Sequence, residues 1–384
     1  MKNVLLVFGG ESYEHDISVV TASQIYNKTK LDDVKFIPLY VSRDNVFYVY
    51  KSKVFDIKDF SINNFNLKNF KEVTFVLGEK KKLFAKTRFG LKEFVFADAA
   101  IFACHGGMGE NGELVSLFKN MGIGVSAGTV SALSVCMNKN LFKQVMKGLK
   151  VPAVSGFKIT KFQYEFQQDK LKFKMRFFKF PLILKSNNGG SSIGLFVAKN
   201  KEEFDEKIKQ AFEFDDEVLI EKYVEDAREF NVALVGNSSD FVISEIDEPL
   251  KENEILSFAD KYLSNNNVKG SKKLFEGSSM ASSMRKFPAD IESELSDKIK
   301  MIAKKIFVEL ELSGVVRIDF LYQEKTGKLY VCEVNAIPGS LAYYFFKENK
   351  ISTNDLVKKL IAVSEKNKKK ISLIKREYLT TILE

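Results

Sequence analysis

The chain has 384 residues, 45% hydrophobic and 28% charged. These values are near globular averages and exclude wholesale disorder, a collagen-like repeat and a disulfide-rich miniprotein, while the length predicts two or three domains. The net charge of +9 is spread along the whole chain rather than gathered in one patch, so it does not indicate a nucleic-acid partner. No apolar run approaches the ~20 residues that span a bilayer, so we expect no membrane partner and a cytoplasmic location.

The first predicted unit is a βαβ element. Residues Lys2–Phe8 form a continuous apolar run, typical of a parallel strand covered on both faces. Ser12 or Asp16 is placed to cap the following helix, and FIPLYV predicts the next strand. Short aromatic strands separated by Lys- and Asn-rich turns predict a β-rich elaboration over residues 43–95. A further strand, a glycine-rich loop and a helix complete a predicted α/β domain over residues 1–128, with a Rossmann-like parallel sheet.

Two α+β subdomains are predicted to follow. Residues 129–235 begin with helices and contain two antiparallel strands joined by the flexible loop NNGGSSIG. Residues 236–366 contain a polar segment near 262–284, and such a segment predicts a functional lid or a mobile insertion. Residues 367–384 form a basic tail, predicted as a solvated amphipathic helix.

The strongest chemical signal is a predicted hairpin over residues 314–340. We take Lys325, Thr326 and Gly327 as a three-residue loop, with glycine where positive φ is needed. Because side chains alternate along a strand, one face is polar. That face carries Arg317, Asp319, Glu333 and Asn335. The opposite face is predicted to carry Ile318, Phe320, Cys332 and Val334.

The predicted pairing sets Asp319 opposite Glu333 and Arg317 opposite Asn335. Two facing carboxylates repel and need a counter-charge, and the oxygen atoms of Asp, Glu and Asn suit Mg²⁺. The alternative is a salt-bridged surface hairpin in which Arg317 neutralises one acid.

A second signal is LILKSNNGGSSIG, residues 182–194. Glycines and small hydroxyl residues let backbone N–H groups turn toward phosphate oxygens, and Lys185 adds a point charge. The spacing fits neither GxxxxGK[ST] nor GxGxxG, so a flexible turn without a ligand is the alternative. Lys139, at the start of a predicted helix, is by itself an ordinary exposed lysine.

The chain's two histidines, His15 and His105, follow predicted parallel strands in glycine-flanked loops. Ligands of open α/β sheets collect at the carboxyl ends of strands, so we expect these loops, together with Glu14, to face one crevice. A purely structural role for each histidine is the alternative.

Together these segments resemble the ATP-grasp ligases and, within them, the D-alanine-D-alanine ligase family. A single motif is weak evidence, but the set occurs in the family's order over residues 1 to about 362. The motifs are FGGESYEHDIS, ACHGGMGENG, SALSVCMNK, LILKSNNGGSSIG, VLIEKYV with EFNVA, DKYLS, and GVVRID with CEVNAIPG.

The resemblance implies that two subdomains grip ATP, with adenine near residues 221–224, Glu229 toward the ribose, and NNGGSSIG folded over the triphosphate. It implies that the nucleotide is held by Lys139, Lys185, Ser192, Glu221, Lys222, Val224 and Glu229. It implies that two Mg²⁺, or Mn²⁺ in their place, are held by Asp319, Glu333 and Asn335.

The implied reaction joins two D-alanines. The first donates its carboxylate to the γ-phosphoryl group of ATP, giving an acyl phosphate and ADP, and the amine of the second then expels phosphate. Catalysis is implied for Glu14, Ser191, Arg317, Gly339 and Tyr262. Substrate contacts are implied for His105, Lys261, Ser340 and Tyr344.

Within this scheme, the Arg317 side chain and the Gly339 N–H stabilise the oxyanion, and Tyr262 reaches Ser191 and Glu14 to close the site. The family usually continues after Ile-Pro-Gly with small hydroxyl residues, whereas this chain has SLAYYFF. The family is commonly dimeric, so we expect a homodimer. The alternatives are D-lactate or another acid and amine as substrates, or a catalytically silent nucleotide-binding protein.

Overall fold

The computed structural model describes residues 1–61, 65, 67–191, 193–250 and 285–372. Three β-sheets organise this part of the chain, and one large apolar core joins the first and third sheets while the second sheet has its own. No helix within these ranges has the length and apolar character needed to cross a membrane.

The first sheet has a parallel centre and an antiparallel wing. Its described strands lie in the order β6 (Gly90–Phe96), β5 (Lys82–Thr87), β4 (Phe70–Thr74), β3 (Phe47–Tyr50), β2 (Val34–Val41), β1 (Lys2–Gly9), β7 (Ala99–Phe102) and β8 (Gly124–Val125). β1 pairs in parallel with β2 and β7, and its central residues are fully buried, as its apolar run predicts. The predicted βαβ opening and β-rich elaboration are confirmed, but β5 was not predicted.

Helices cover this sheet and lead into the second. They are α1 (His15–Lys28), α2 (Gly107–Glu110), α3 (Glu113–Asn120), α4 (Val130–Met137) and α5 (Lys139–Gly148). The predicted caps of α1 are wrong, because the residue before the helix is Glu14 and no side chain caps it. Ser12 instead accepts a hydrogen bond from the Glu14 N–H at 3.0 Å, which shapes the loop leading into the helix.

The second sheet is small and antiparallel. Its described strands lie in the order β11 (Phe196–Ala198), β10 (Leu182–Ser186), β12 (Glu217–Lys222) and β9 (Gly156–Thr160). Its helices are α6 (Lys161–Phe166), α7 (Gln168–Met175) and α8 (Lys201–Ala211). β10 and β11 are the antiparallel pair that the sequence predicts on either side of the glycine-rich loop.

The third sheet is antiparallel and adjoins the first. Its described strands lie in the order β15 (Arg285–Lys286), β14 (Asp240–Pro249), β13 (Ala227–Asn237), β16 (Ser313–Gln323) and β17 (Lys328–Asn335). Its helices are α9 (Ser293–Glu309) and α10 (Thr353–Ser372). The predicted boundary between residues 235 and 236 falls inside β13, a strand whose pairing with β14 and β16 only the fold reveals.

The β16–β17 hairpin pairs Asp319 with Glu333 and Arg317 with Asn335, as predicted. The predicted three-residue loop is wrong, since the strands end at the pair Gln323–Lys328 and leave four loop residues between them. A bulge offsets this longer loop: Asp319 pairs with residue 333 but its neighbour Phe320 pairs with residue 331.

The bulge leaves Cys332 as the extra residue of β17. Ile318, Phe320 and Val334 are buried in the core as predicted, but Cys332 is only half-buried, so its predicted place on the core face is wrong. Its thiol lies close enough to Lys185 for that charge to act on its pKa, which burial raises to about 12. Cys332 therefore belongs to the side of the hairpin that faces the second sheet.

Candidate active site

Asp319, on β16, is buried and held by three side chains. Arg317 donates from Nε and Nη2 to its two carboxylate oxygens at 2.7 and 2.8 Å, and Asn335 donates to Oδ2 at 3.0 Å. The amide of Asn231 on β13, oriented to satisfy its hydrogen bonds, donates to Oδ1 at 3.0 Å. Arg317 therefore neutralises one acid, as in the salt-bridge alternative, but Asp319 is only 5% exposed and this is no surface hairpin.

Polar residues form a row across four neighbouring strands of the third sheet. Asp247 pairs with Asn231, Asn231 with Asp319, and Asp319 with Glu333. Burial raises the pKa of Asp247 to about 6, although Arg285, 3.3 Å away, opposes this shift. Sequence reasoning missed Asn231 and Asp247, because their position depends on the register between distant strands.

We call Arg317, Asp319, Glu333 and Asn335 the acid cluster. Across the described ranges, no three His, Cys, Asp or Glu side chains converge in a way that could hold a metal ion. The paired carboxylates of Asp319 and Glu333 fit a hard divalent cation only if the Asn335 amide oxygen, water and substrate oxygens complete the coordination. That incomplete donor set is typical of Mg²⁺ sites, where the ion keeps waters and binds phosphates.

A second, buried group faces the acid cluster. It consists of Lys143, Lys185 and Glu221, and we call it the lysine cluster. Lys185 on β10 lies 2.5 Å from Glu221 Oε2, and Lys143 on α5 pairs with Oε1. Lys143 also donates to the Val154 carbonyl at 2.9 Å. Burial opposes the charge on Lys185, but the Glu221 carboxylate outweighs it and raises the pKa of Lys185. Sequence reasoning missed Lys143.

Glu221 is predicted to lie near adenine, yet here its carboxylate is engaged by both lysines. Burial opposes its ionisation, but Lys143 and Lys185 together lower the pKa of Glu221. Lys222 ends β12 as an exposed residue, Val224 follows in the connection to β13, and Glu229 lies within β13. These positions follow one another along the chain from the end of β12 into β13.

The glycine-rich loop after β10 is anchored at its base. The Lys139 side chain donates to the Gly189 carbonyl, and its backbone N–H donates to the Asn187 carbonyl at 2.9 Å. Asp215 accepts from the Asn188 N–H at 2.7 Å and from the Ser186 hydroxyl at 2.9 Å. Burial lowers the pKa of Lys139. Lys139 is thus no ordinary exposed lysine, and Asp215 is an anchor that the sequence did not reveal.

The loop contacts the first domain through Ser191 and Glu14. The Ser191 hydroxyl donates to the buried Glu14 carboxylate, joining two residues that the resemblance places in one catalytic group. A Cβ on Gly190 would collide with the same carboxylate, so this close approach requires glycine. Ser192, Lys261 and Tyr262 lie outside the described residues.

Glu110, at the end of α2, is a further acid that sequence reasoning missed. It accepts hydrogen bonds from the Gly106 N–H at 2.8 Å and from the Ile337 N–H at 3.0 Å. Burial, followed by the nearby Glu14 charge, raises the pKa of Glu110 to about 8. A cavity of about 30 Å³ lies next to Glu110. It is lined in part by Glu14, Glu110, Lys139, Glu333 and Asn335.

His105 is fully buried and bonded at both ring nitrogens. Nδ1 donates to the Ile337 carbonyl at 2.7 Å, so Nε2 accepts from the Thr21 hydroxyl at 2.8 Å. Burial lowers the pKa of His105 to about 4. Both ring nitrogens thus bind groups of the protein, and the substrate contact implied for His105 stays a prediction. His15 is similarly bonded to the Gly10 carbonyl and the Tyr40 hydroxyl.

The segment after β17 folds as a 3₁₀ turn, Gly339–Phe346, with Ser340 and its two successors at positive φ. The Ser340 N–H donates to the Thr21 hydroxyl at 3.0 Å, and Ser340 and Tyr344 are both buried. The Arg285 guanidinium lies 4.8 Å from the centre of the Tyr344 ring. Gly339, Ser340 and Tyr344 thus lie beside the acid cluster, and Arg285 lies next to them.

Comparison with known proteins gives matches along nearly the whole chain. The protein-family model described as D-ala D-ala ligase N-terminus matches residues 3–127, and the family model described as D-ala D-ala ligase C-terminus matches residues 145–362. The D-alanine--D-alanine ligase of Thermosipho africanus is 32% identical over 364 residues, covering 95% of this chain and 93% of that protein. The ligase of the same name from Caldicellulosiruptor bescii is 30% identical over 377 residues, covering 96% and 97%.

Solved structures of ligases also superpose on nearly the whole chain. The D-alanine-D-alanine ligase of Helicobacter pylori superposes with a TM-score of 0.72 at 25% identity, covering 94% of this chain and 98% of that one. The VanG D-Ala:D-Ser ligase of Enterococcus faecalis has a TM-score of 0.76 at 23% identity, covering 94% and 99%, and shares the fold. Since the C-terminal family model alone matches more than half of the residues, the predicted family is confirmed: the chain belongs to the D-alanine-D-alanine ligase family.

Proposed function

We propose that this chain uses ATP to join two D-alanines into D-alanyl-D-alanine through an acyl phosphate, as a step in making peptidoglycan precursors. The observation that carries the proposal is a pair of oppositely charged groups that lie close together, since the Glu333 charge acts on Lys185. The acid cluster suits a divalent cation, and the lysine cluster with Lys139 suits phosphates. A chain of this family with all of these groups in place has what the reaction requires.

The proposed architecture is an N-terminal α/β domain followed by two ATP-grasp subdomains that enclose ATP. We divide the chain at residues 1–128, 129–235 and 236–366, with a basic tail over 367–384. The three sheets support this division in outline, although β13 crosses the second boundary. A homodimer and a cytoplasmic location stay predictions.

Transfer of the γ-phosphoryl group to a carboxylate brings two anions together and requires neutralisation and alignment. Lys139 lines the cavity from α5, and Lys185 is buried on β10, close enough for its charge to act on the pKa of Lys139. Glu221 keeps Lys185 charged and oriented before phosphate arrives. Glu221, Lys222, Val224 and Glu229 are the proposed nucleoside contacts, since they line the connection between β12 and β13.

Asp319, Glu333 and Asn335 are proposed to hold two Mg²⁺, with Mn²⁺ able to take their place. When bound, these ions supply the positive charge that lets phosphate oxygens approach a carboxylate. Arg317 and Asn335 pre-orient Asp319, and Asn231 does so from β13, so little reorganisation is needed on binding.

The first D-alanine is proposed to lie between Glu14 and Arg317. Glu14 is buried, so it can pair with an ammonium without competition from water. Arg317 and the Gly339 N–H are the donors proposed for the tetrahedral oxyanion. His105 supports this subsite by fixing Ile337, two residues before Gly339. Ser340 and Tyr344 are proposed next to the second substrate, on the basis of their place beside the acid cluster.

Closure of the glycine-rich loop over the site is proposed to protect the acyl phosphate from water. The hydrogen bond from Ser191 to Glu14 supports one half of this arrangement, because it already brings the glycine-rich loop onto the first domain. Ser192, Lys261 and Tyr262 are proposed for the remainder.

The test is to incubate the purified chain with ATP, Mg²⁺ and D-alanine and to identify the product by mass. We expect D-alanyl-D-alanine and one ADP per dipeptide, and none with L-alanine. ADP release that does not depend on D-alanine, or the absence of dipeptide, contradicts the proposal.

The alternative is a different second substrate such as D-lactate. A mixture of D-alanine and D-lactate, sampled across neutral pH, separates the two outcomes, since only the ammonium of D-alanine must lose a proton before it attacks. A product that contains D-lactate at every pH would favour the alternative.

A further inference from the structure

The outer surface of α6 and α7 exposes aromatic rings among basic residues. Phe162 and Phe166 are 60% and 71% exposed, and Phe173 and Phe177 are 59% and 67% exposed. Large apolar side chains grouped on a surface commonly mark an interaction site. We call these four rings and their basic neighbours the aromatic-basic face. The exposed basic neighbours are Lys161, Lys170, Lys172, Arg176 and Lys179.

Three of the four rings lie on the outward sides of α6 and α7, and Phe177 lies in the turn that follows α7. Tyr164 on α6 and Leu171 and Met175 on α7 pack into the core of the second sheet. Phe162, Phe166 and Phe173 lie on the helix sides opposite to these core residues, and Phe177 is exposed next to Phe173. Both pairs therefore point away from the same core, and the face is part of the folded surface.

Charge and ring packing define the chemistry of the face. Among the exposed residues of 161–179, five are basic and two, Glu165 and Asp169, are acidic. The rings pack on one another, with centroids 5.2 Å apart in the Phe162 pair and 5.9 Å apart in the Phe173 pair. The Arg176 guanidinium lies 5.9 Å from the centre of the Phe173 ring. The rings thus form a hydrocarbon surface with a cationic border.

We propose that the aromatic-basic face docks on the surface of a bilayer that contains anionic lipid. Exposed aromatic rings insert at the lipid headgroup level, and Lys and Arg side chains around them meet anionic headgroups. This requires no spanning helix, and it revises the expectation that the protein has no membrane partner. The inference does not depend on the proposed reaction.

Two other occupants fit the face less well, one because of its charge and the other because of the ring packing. A second copy would bring the same excess of positive charge to the contact, so the two faces would repel. Single-stranded nucleic acid needs open ring faces for its bases to stack on, whereas these rings pack on one another or beside Arg176. An anionic lipid surface satisfies both the charge and the apolar area.

The experiment is co-sedimentation of the full chain with vesicles of phosphatidylcholine alone or with phosphatidylglycerol. We expect at least about five-fold more bound protein on the anionic vesicles, and less binding as salt rises. A variant with serine at all four phenylalanines should lose at least about ten-fold in partition. The double variant Lys170→Glu and Lys172→Glu should lose binding mainly at low salt.

A matched control lies on the β5–β6 hairpin, which also exposes apolar residues. Serine substitution there, at Phe89, Leu91, Phe94 and Phe96, removes four exposed apolar residues from another surface and should leave vesicle binding unchanged. All variants should keep the wild-type melting temperature and D-alanine-dependent ADP release.

Three outcomes would overturn the proposal. The wild type would stay in the supernatant with anionic vesicles, the hairpin control would lose as much binding as the four-serine variant, or the four-serine variant would bind as well as wild type. Loss of self-association or of oligonucleotide binding in the four-serine variant, without any vesicle binding by wild type, would assign the face to that other partner.

Discussion

The acid cluster, in which Asp319 is buried, and the buried lysine cluster have opposite imbalances of charge. The acid cluster contains one cation, Arg317, which binds Asp319, and two carboxylates, so its net charge favours a further cation. In the lysine cluster one carboxylate, Glu221, serves two ammonium groups, which leaves room for negative charge. The difference teaches that the cleft is polarised before any ligand binds, with one end suited to a divalent cation and the other to phosphate.

The largest effect in the acid cluster is expected from Glu333→Ala. It removes one of the paired carboxylates, so we expect D-alanine-dependent ADP release to fall by more than about 100-fold while the protein stays folded. Steady-state kinetics and thermal unfolding measure the two effects. The matched control is Glu324→Ala on the same hairpin, whose exposed carboxylate pairs with Arg228 far from the cavity. Near-normal turnover of Glu333→Ala would refute the metal assignment.

In the lysine cluster, the corresponding substitution is Lys143→Met. Because Glu221 then relies on Lys185 alone, Lys185 is held more tightly and is less available to phosphate, so we expect KM for ATP to rise by roughly ten-fold. Removing one partner of a buried ion pair should also cost about 3 kcal/mol of stability. Lys143→Arg should restore most of both.

The control is Lys158→Met, which removes an ion pair with Glu217 on the same strand as Glu221. If Lys143→Met and Lys158→Met raise KM for ATP equally, the rise comes from the loss of any ion pair to β12. The lysine cluster would then have no special role in binding phosphate.

The sequence predicts more of the acid cluster than of the lysine cluster, and the reason is physical. The acid cluster comes from one hairpin, so strand alternation and a turn signal were enough to pair Asp319 with Glu333. Even there, the bulge that turned Cys332 out of the core was not visible, since a two-against-one pairing leaves no local signal. The predicted parallel strands of the first domain were equally local, as their apolar runs are continuous.

The lysine cluster, by contrast, draws Lys143, Lys185 and Glu221 from a helix and two strands. No local period relates them, and nothing in the sequence distinguishes Lys143 from the other lysines of α5. Glu110 and Asp215 were missed for the same reason, because what they bind are backbone groups of distant segments. Contacts of this kind follow from the fold, and only the family resemblance anticipated part of them.

Glu110 lines the cavity with Lys139 and Glu333, and the pH dependence of stability tests its protonation state. Its pKa is raised from 4.5 to about 8, so the folded protein keeps a proton that the unfolded chain releases. Stability therefore falls as the pH rises from about 4.5 to about 8, by at most about 1.4 kcal/mol per pH unit. In Glu110→Gln this slope should be absent, so its melting temperature should change less than that of wild type between pH 5 and 8.

The exposed Glu113 on α3 provides the control, since Glu113→Gln should keep the wild-type slope. Parallel profiles for wild type and Glu110→Gln would mean that Glu110 is ionised throughout and that its carboxylate adds to the acid end at neutral pH.

The smallest expected effect tests whether the neutral hydrogen bonds behind the cleft matter apart from its charges. Thr21→Val leaves His105 Nε2 and the Ser340 N–H without their shared hydroxyl, so we expect a loss of about 1–3 kcal/mol in stability and only a few-fold loss in kcat. Thr29, at the end of the same helix, is also buried, but among the described residues its hydroxyl has no hydrogen-bond partner. Thr29→Val should therefore be neutral or stabilising. Equal effects of the two substitutions in urea unfolding would show that the cost arises from replacing a buried threonine by valine and not from the hydrogen bonds of Thr21, and His105 would lose its positioning role.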